Sequence, residues 1–213
     1  MAAGEAFDRL DVATGTRVLE HARAIVEATV HDETPPDPPD VSVFDQYRGV
    51  FVTLEDGANL RGCIGRPMPE QPLRAGLRAA ARGAATSDPR FPPLTPDELP
   101  SVTVETSILT PPRVVDGNNP DAIVVGRDGL IVSNGRYRGL LLPQVTSERD
   151  WDGQRFLKAT ARKAGLRPDA CQHPGTTVER FSAQVFAEQS PGGPVTVEDY
   201  TRPDGVATAQ STD

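Results

Sequence analysis

From Thr16 onward the apolar residues Val18, Ala22, Ile25 and Val26, followed by Thr29, recur at three- and four-residue spacing. This predicts an amphipathic helix running to about Val30. It has to stop before the segment Asp32 to Asp40, where Pro35, Pro36, Pro38 and Pro39 remove amide donors and impose extended backbone. That segment is expected to be a stiff surface connection. Gly49 to Glu55 then alternates with period two, placing Val50, Val52 and Leu54 on one face of a strand. Asp56-Gly57-Ala58-Asn59 reads as a turn, so Leu60 to Ile64 returns as the second strand of a hairpin. Pro72 suits the first position of a second helix. Leu73, Leu77, Ala80, Ala81 and Ala84 form the small-residue face of that helix, and Arg74, Arg78 and Arg82 its opposite face.

The second half continues the alternation. Thr95-Pro96-Asp97-Glu98 has the cap, proline and acid of a short helix start. Ser101 to Leu109 reads as a strand that ends at Pro111. Ile123-Val124-Val125 and Leu130-Ile131-Val132 flank Gly126-Arg127-Asp128-Gly129, which predicts a four-residue hairpin loop. Asn134-Gly135 is a second hairpin signal, leading into Tyr137 to Leu142. Gln154 to Ala164 has helical spacing with Gly165 as its cap, and Thr177 to Glu188 alternates as one long final strand. Hairpins interspersed with single helices predict an α+β fold, a largely antiparallel sheet with flanking helices. The expected organisation is a flexible N-terminus over residues 1–13, a single domain over 14–188 and a disordered tail over 189–213.

Composition sharpens this picture. The 213 residues include 30 acidic and 22 basic side chains, a net charge of −8. Only Lys158 and Lys163 are lysine; the remaining basic residues are arginine. An acidic, lysine-poor surface fits a high-salt cytoplasm, while a GC-rich genome that exchanges Lys for Arg would leave the same trace. No apolar run is long enough to span a bilayer and no leader opens the chain, so a cytoplasmic protein without a membrane partner is expected. Two cysteines, Cys63 and Cys171, are too few for a disulfide framework.

The charge is unevenly distributed. Residues 60–90 carry Arg61, Arg66, Arg74, Arg78, Arg82 and Arg90 against Glu70 and Asp88, a basic island of +4 in an acidic chain. Inside it lies Leu60-Arg61-Gly62-Cys63-Ile64-Gly65. Glycines on both sides let a ligand approach the thiol, and neighbouring guanidinium charge favours thiolate. The alternative is that Cys63 is a small buried hydrophobe on a strand. The histidines His21, His31 and His173 are not placed by sequence near Cys63, so no catalytic dyad can be drawn. Cys171-Gln172-His173 lacks the second pair of ligands that a metal site needs. No phosphate-binding loop, dinucleotide fingerprint or three-cysteine cluster is present, so no metal or cofactor is expected. The Arg74/Arg78/Arg82 stripe either contacts phosphates or is a solvated helix face. Asp88 and Arg90 before Pro92-Pro93 either pin a loop together or bind a ligand. Gln144, at the exit of an apolar strand, either meets a ligand or caps the next segment.

These residues resemble the AMMECR family. The hexapeptide Leu60–Gly65 is similar to that family's signature. The likeness continues in order through Pro72-Leu73, Asp88, Arg90-Phe91, Val104–Thr110, Val125–Leu130, Gly139–Val145, Trp151-Asp152 and Phe181–Glu188, covering about residues 14–190. The resemblance implies a compact, two-lobed α+β fold and a site centred on Cys63. It also implies association with Memo-type and radical-SAM proteins. The expected site is a cleft around Cys63 with Arg61, Gly62, Gly65, Asp88, Arg90 and Gln144. There Arg61 and Arg90 hold an anionic group, Asp88 orients Arg90, and Cys63 is the nucleophile or acceptor. The chain is expected to be an enzyme or enzyme subunit with an anion-binding cleft, or alternatively a non-catalytic adaptor or an RNA-binding protein.

Overall fold

Asp11 starts the first helix. Its carboxylate accepts the Thr14 amide at 2.8 Å and the Thr14 hydroxyl at 2.9 Å, satisfying a donor that the first turn leaves open. Helix α1 (Val12–Val30) therefore begins four residues before the apolar periodicity does. The computed structural model describes residues 9–147 and 151–201. Residues 1–8 of the segment expected to be flexible lie outside the described residues. Its remainder is corrected. Leu10 is buried, and its backbone exchanges hydrogen bonds with the Gln184 side-chain amide at 2.8 and 3.0 Å.

The chain divides into two compact units, one formed by Leu10–Leu109 with Gln184–Glu198 and the other built mainly on Thr110–Ala183. A five-stranded sheet comprises β1 (Val50–Asp56), β2 (Asn59–Arg66), β3 (Val102–Leu109), β8 (Ala183–Glu188) and β9 (Val195–Asp199), in the order β2-β1-β3-β8-β9. A four-stranded sheet comprises β4 (Arg113–Val115), β5 (Gly129–Asn134), β6 (Tyr137–Leu141) and β7 (Thr177–Phe181), in the order β4-β7-β5-β6. Helix α2 (Leu73–Thr86) packs on the first sheet. The short α3 (Gln144–Ser147) and α4 (Gly153–Lys163) belong to the second unit. The fold is α+β, with antiparallel pairing in both sheets and flanking helices.

In the first unit, Val50, Val52 and Leu54 of β1 join Val104 and Ile108 of β3, Phe186, Val195 and Val197 in one core with α1 and α2. Phe44 and Phe186 are fully buried there, each worth about 1.5–3 kcal/mol of transfer free energy. Pro72 lies one position earlier than expected, as the residue preceding α2. A buried ion pair joins α1 to the sheet. Arg23 donates to Glu188 at 2.9 Å and to the Val102 carbonyl at 2.6 Å, and Glu188 accepts the Val104 amide at 2.9 Å. In the second unit, α4 lays Phe156, Leu157 and Ala161 over Leu130, Val132 and Val178.

Three expectations about strands are corrected. The segment Ile123–Val125 is not a strand, because the fully buried Asp128 carboxylate takes the Val124 amide at 2.9 Å and pairs with Arg127, folding the segment into a turn. The Asn134-Gly135 turn joins the hairpin β5–β6, as its sequence predicts. The long final strand is two strands, β7 in one sheet and β8 in the other, broken at Ser182. There the Ser182 amide donates to the Thr110 hydroxyl at 2.8 Å, and the Ser182 hydroxyl donates to the Tyr200 carbonyl at 2.6 Å. The segment after Glu188 is not a disordered tail throughout. Residues 195–199 form β9, whose Val195 and Val197 alternate into the core, while 202–213 lie outside the described residues.

Candidate functional site

The hairpin β1–β2 carries the candidate residues. Strand β2 is an edge of its sheet, and its register pairs Leu54 with Gly62, Thr53 with Cys63 and Val52 with Ile64. Side chains alternate across a strand. Ile64 therefore shares the core face with Val52 and Leu54, while Cys63 shares the opposite face with Thr53. The glycines answer two close approaches. A Cβ at Gly62 would stand 2.3 Å from the Ala84 carbonyl oxygen of α2, and one at Gly65 would stand 2.2 Å from the Phe51 ring. Gly62 thus lets α2 lie directly on the strand.

Asp88 and Arg90 occupy the open edge of β2. Asp88 accepts the Cys63 amide at 2.8 Å, and Arg90 donates to the Cys63 carbonyl at 3.3 Å. Arg90 is bound to Asp88 in turn, through Nε at 2.9 Å and Nη2 at 2.6 Å. Two side chains thus make the contacts to Cys63 that a neighbouring strand's backbone would make. The Cys63 sulfur accepts from the Thr53 hydroxyl at 3.5 Å. Arg61 is held differently. It grips Glu98 through Nε at 2.7 Å and Nη2 at 3.1 Å, and donates to the carbonyls of Pro92 and Pro93. With those donors engaged, Arg61 braces the Pro92-Pro93 loop. Gln144 lies in the other unit, at the first position of α3.

Beside this edge lies an open cleft of about 650 Å³ lined by Cys63, Gly65, Arg66, Arg82, Thr86 and Ser87, among others. Arg66 and Arg82 are exposed, and their guanidiniums make no ion pair or hydrogen bond among the described residues. The arginine stripe is accordingly divided. Arg74 pairs with Asp45, and Arg78 donates to the Pro36 carbonyl, which leaves Arg82 as its open cation.

A family model described as AMMECR1 matches residues 19–186. The chain belongs to the AMMECR1 family. A relative from Methanothermobacter thermautotrophicus is 55% identical over 175 residues, covering 80% of this chain and 88% of that one. A Methanocaldococcus jannaschii relative, Protein MJ0810, is 45% identical over 192 residues, covering 87% and 96% of the two chains. The crystal structure of the uncharacterised Pyrococcus horikoshii protein PH0010 is similar with a TM-score of 0.79 at 40% identity. It covers 89% of this chain and 98% of that one. Among the described residues of this AMMECR1 chain, no helix is long and apolar enough to cross a membrane.

The electrostatics of this AMMECR1 site follow from its bonds. Hydrogen bonds from Arg90, and from the Cys63 and Arg90 amides, hold the Asp88 carboxyl far below the usual carboxylate range against the opposing effect of burial. The same pairing raises Arg90, which also lies within reach of the Cys63 sulfur. Arg61 and Thr95 lower Glu98 to about 2. The Cys63 face holds one group shifted the other way. Glu105 pairs with Thr53 across β1–β3, and burial, then the nearby Glu55 and Glu198, push its carboxyl up to about 7. Glu98, Thr53 and Glu105 were missed in the sequence. Strand alternation carried the signal for the last two, because Thr53 opposes the Val52 and Leu54 face of β1 and Glu105 opposes the Val104 and Thr106 face of β3. The second cysteine is a core residue of the other unit, with Leu157 against it and its thiol pushed up by burial. No imidazole accompanies Cys63 in the bonds described, since His21 stacks edge-on against Phe44 and His173 pairs with Asp169.

Proposed function

We propose that the chain is an enzyme, or one component of a multi-protein enzyme, that holds a small anionic group in the cleft beside Cys63. The carrying observation is the pair of exposed guanidiniums, Arg66 and Arg82, on that cleft, while Arg61, Arg74, Arg78 and Arg90 are engaged with the protein itself. The anion-holding role expected of Arg61 thus passes to Arg66 and Arg82, and Arg90 becomes a brace for the Cys63 backbone. The cleft also meets the C-terminal end of α2, whose dipole is worth about half a negative charge. Two full positive charges outweigh it. Memo-type and radical-SAM proteins enter this reading as partners through the family resemblance alone. A division of the arginine stripe that leaves one open cation supports a small anion over an extended RNA backbone.

Isothermal titration with inorganic pyrophosphate tests the reading. Binding should weaken at least tenfold in Arg66→Glu/Arg82→Glu, and should change less than twofold in Arg74→Glu. Equal affinity in the wild type and the double variant, or no binding to the wild type, would contradict it.

A further inference from the structure

Cys63, Thr53 and Glu105 form a row across three strands. The register pairs Cys63 with Thr53 and Thr53 with Glu105, so all three side chains leave the sheet on the face opposite the helical core. Strands lie about 4.8 Å apart, which separates the Cys63 and Glu105 backbones by about 10 Å. The Thr53 hydroxyl stands between them and donates to the sulfur.

We propose that Cys63 and Glu105 form one two-group reaction site, nucleophile and proton donor, for a neutral or cationic amide laid across Thr53. This assignment rests on the reading of Cys63 as a reaction centre, and it does not depend on anion binding in the cleft. The surroundings set the ligand class. Glu55 on β1 and Glu198 on β9 face Glu105, Ser107 on β3 itself donates to it at 3.5 Å, and Cys63 with the adjacent Arg90 closes the β2 side. The one titratable residue of β8, Glu188, is turned to the other face and paired with Arg23. Carboxylates therefore dominate around Glu105 and exclude a negatively charged reacting end.

The chemistry follows from a carboxyl that titrates near 7. An amide nitrogen leaves only if it is protonated, and an acid matched to neutral pH is the efficient donor. In the first step the thiolate electron pair forms the S–C bond, the C–N bond breaks, and its pair takes the Glu105 proton. The products are a thioester, a free amine and the Glu105 carboxylate. In the second step that carboxylate takes a proton from water as the hydroxyl adds to the thioester carbon. The acid is released, and the thiolate and the protonated Glu105 are restored.

The test is the pH profile of Cys63 alkylation by iodoacetamide, a neutral electrophile, in the full chain between pH 5.5 and 9. In the wild type the rate should show a step near pH 7 as Glu105 ionises. In Glu105→Gln that step should vanish, leaving alkylation about two- to tenfold faster at pH 8 and unchanged at pH 5.5, because the carboxylate no longer opposes the thiolate. Glu105→Asp should retain a step, and matching thermal melts at pH 5.5 establish that the variants are folded. A profile identical in the wild type and Glu105→Gln overturns this assignment alone. A folded wild type that is not alkylated at Cys63 overturns both it and the reading of Cys63 as a reaction centre.

Discussion

The Asp88 carboxylate stands where a neighbouring strand's carbonyl would stand, accepting the Cys63 amide at 2.8 Å from the open edge of β2. The carboxylate also holds Arg90, so one buried side chain satisfies an edge amide and a guanidinium at once. This closes part of an edge that would otherwise template pairing with another chain.

Asp88→Ala should therefore be costly. It leaves the Cys63 amide and the Arg90 guanidinium without their acceptor, for a loss of roughly 2–4 kcal/mol in urea unfolding. Asp88→Asn keeps one acceptor and should cost less. The folded-state carboxyl titrates below its unfolded value, so its contribution is complete above about pH 4 and is lost as pH falls further. The gap in stability between wild type and Asp88→Asn should be narrower at pH 3 than at pH 7, as measured by unfolding at the two values.

Gly62→Ala should separate α2 from β2. The added methyl would meet the Ala84 carbonyl, a backbone atom that cannot rotate away. A loss of about 1–3 kcal/mol is expected in a denaturant melt. Gly57→Ala is strained for a different reason, its φ of 58°, and meets no neighbour. It should cost about 1 kcal/mol or less.

His21 should make stability depend on pH near neutrality. Burial, then the nearby Arg78 charge, hold its pKa below the ordinary value, against a smaller opposing effect of Asp37. The unfolded chain thus binds a proton that the folded chain refuses. Its contribution is present above about pH 6.5 and declines as pH falls. Replacing the imidazole in His21→Gln should flatten the decline in melting temperature between pH 7.5 and 5.5, relative to wild type.

Glu105→Gln should behave in the opposite sense. The folded carboxyl titrates at about 7 against an ordinary 4.5, so ionising it in place costs up to about 3 kcal/mol at alkaline pH. The variant should melt higher than wild type at pH 8 and close to it at pH 5, by differential scanning calorimetry.

The elements legible in the sequence were those specified locally. Asp56-Gly57 and Asn134-Gly135 mark their hairpins within four residues, and the spacing of Leu73, Leu77 and Ala80 marks α2. What was missed depends on distant partners. The break at Ser182 is made by Thr110, 72 residues away, and the Ile123–Val125 turn by the buried charge of Asp128. In the site, the basic island was visible as a count of charges, but which arginines stay open was not. Arg61 is claimed by Glu98, 37 residues further on, and Arg74 by Asp45. Periodicity places a side chain on a face; it does not name the counter-ion that tertiary structure brings there.

Cys63 is itself a lining residue of the cleft of Arg66 and Arg82, so an anion held there stands at the strand edge that carries the thiol. Alkylation of Cys63 by iodoacetamide with and without pyrophosphate tests this most directly, read by mass spectrometry with the buried Cys171 as the unreactive internal control. Saturating pyrophosphate should slow Cys63 labelling at least fivefold in the wild type and have no effect in Arg66→Glu/Arg82→Glu. Labelling at the same rate with and without pyrophosphate, or equal protection in the double variant, would contradict it.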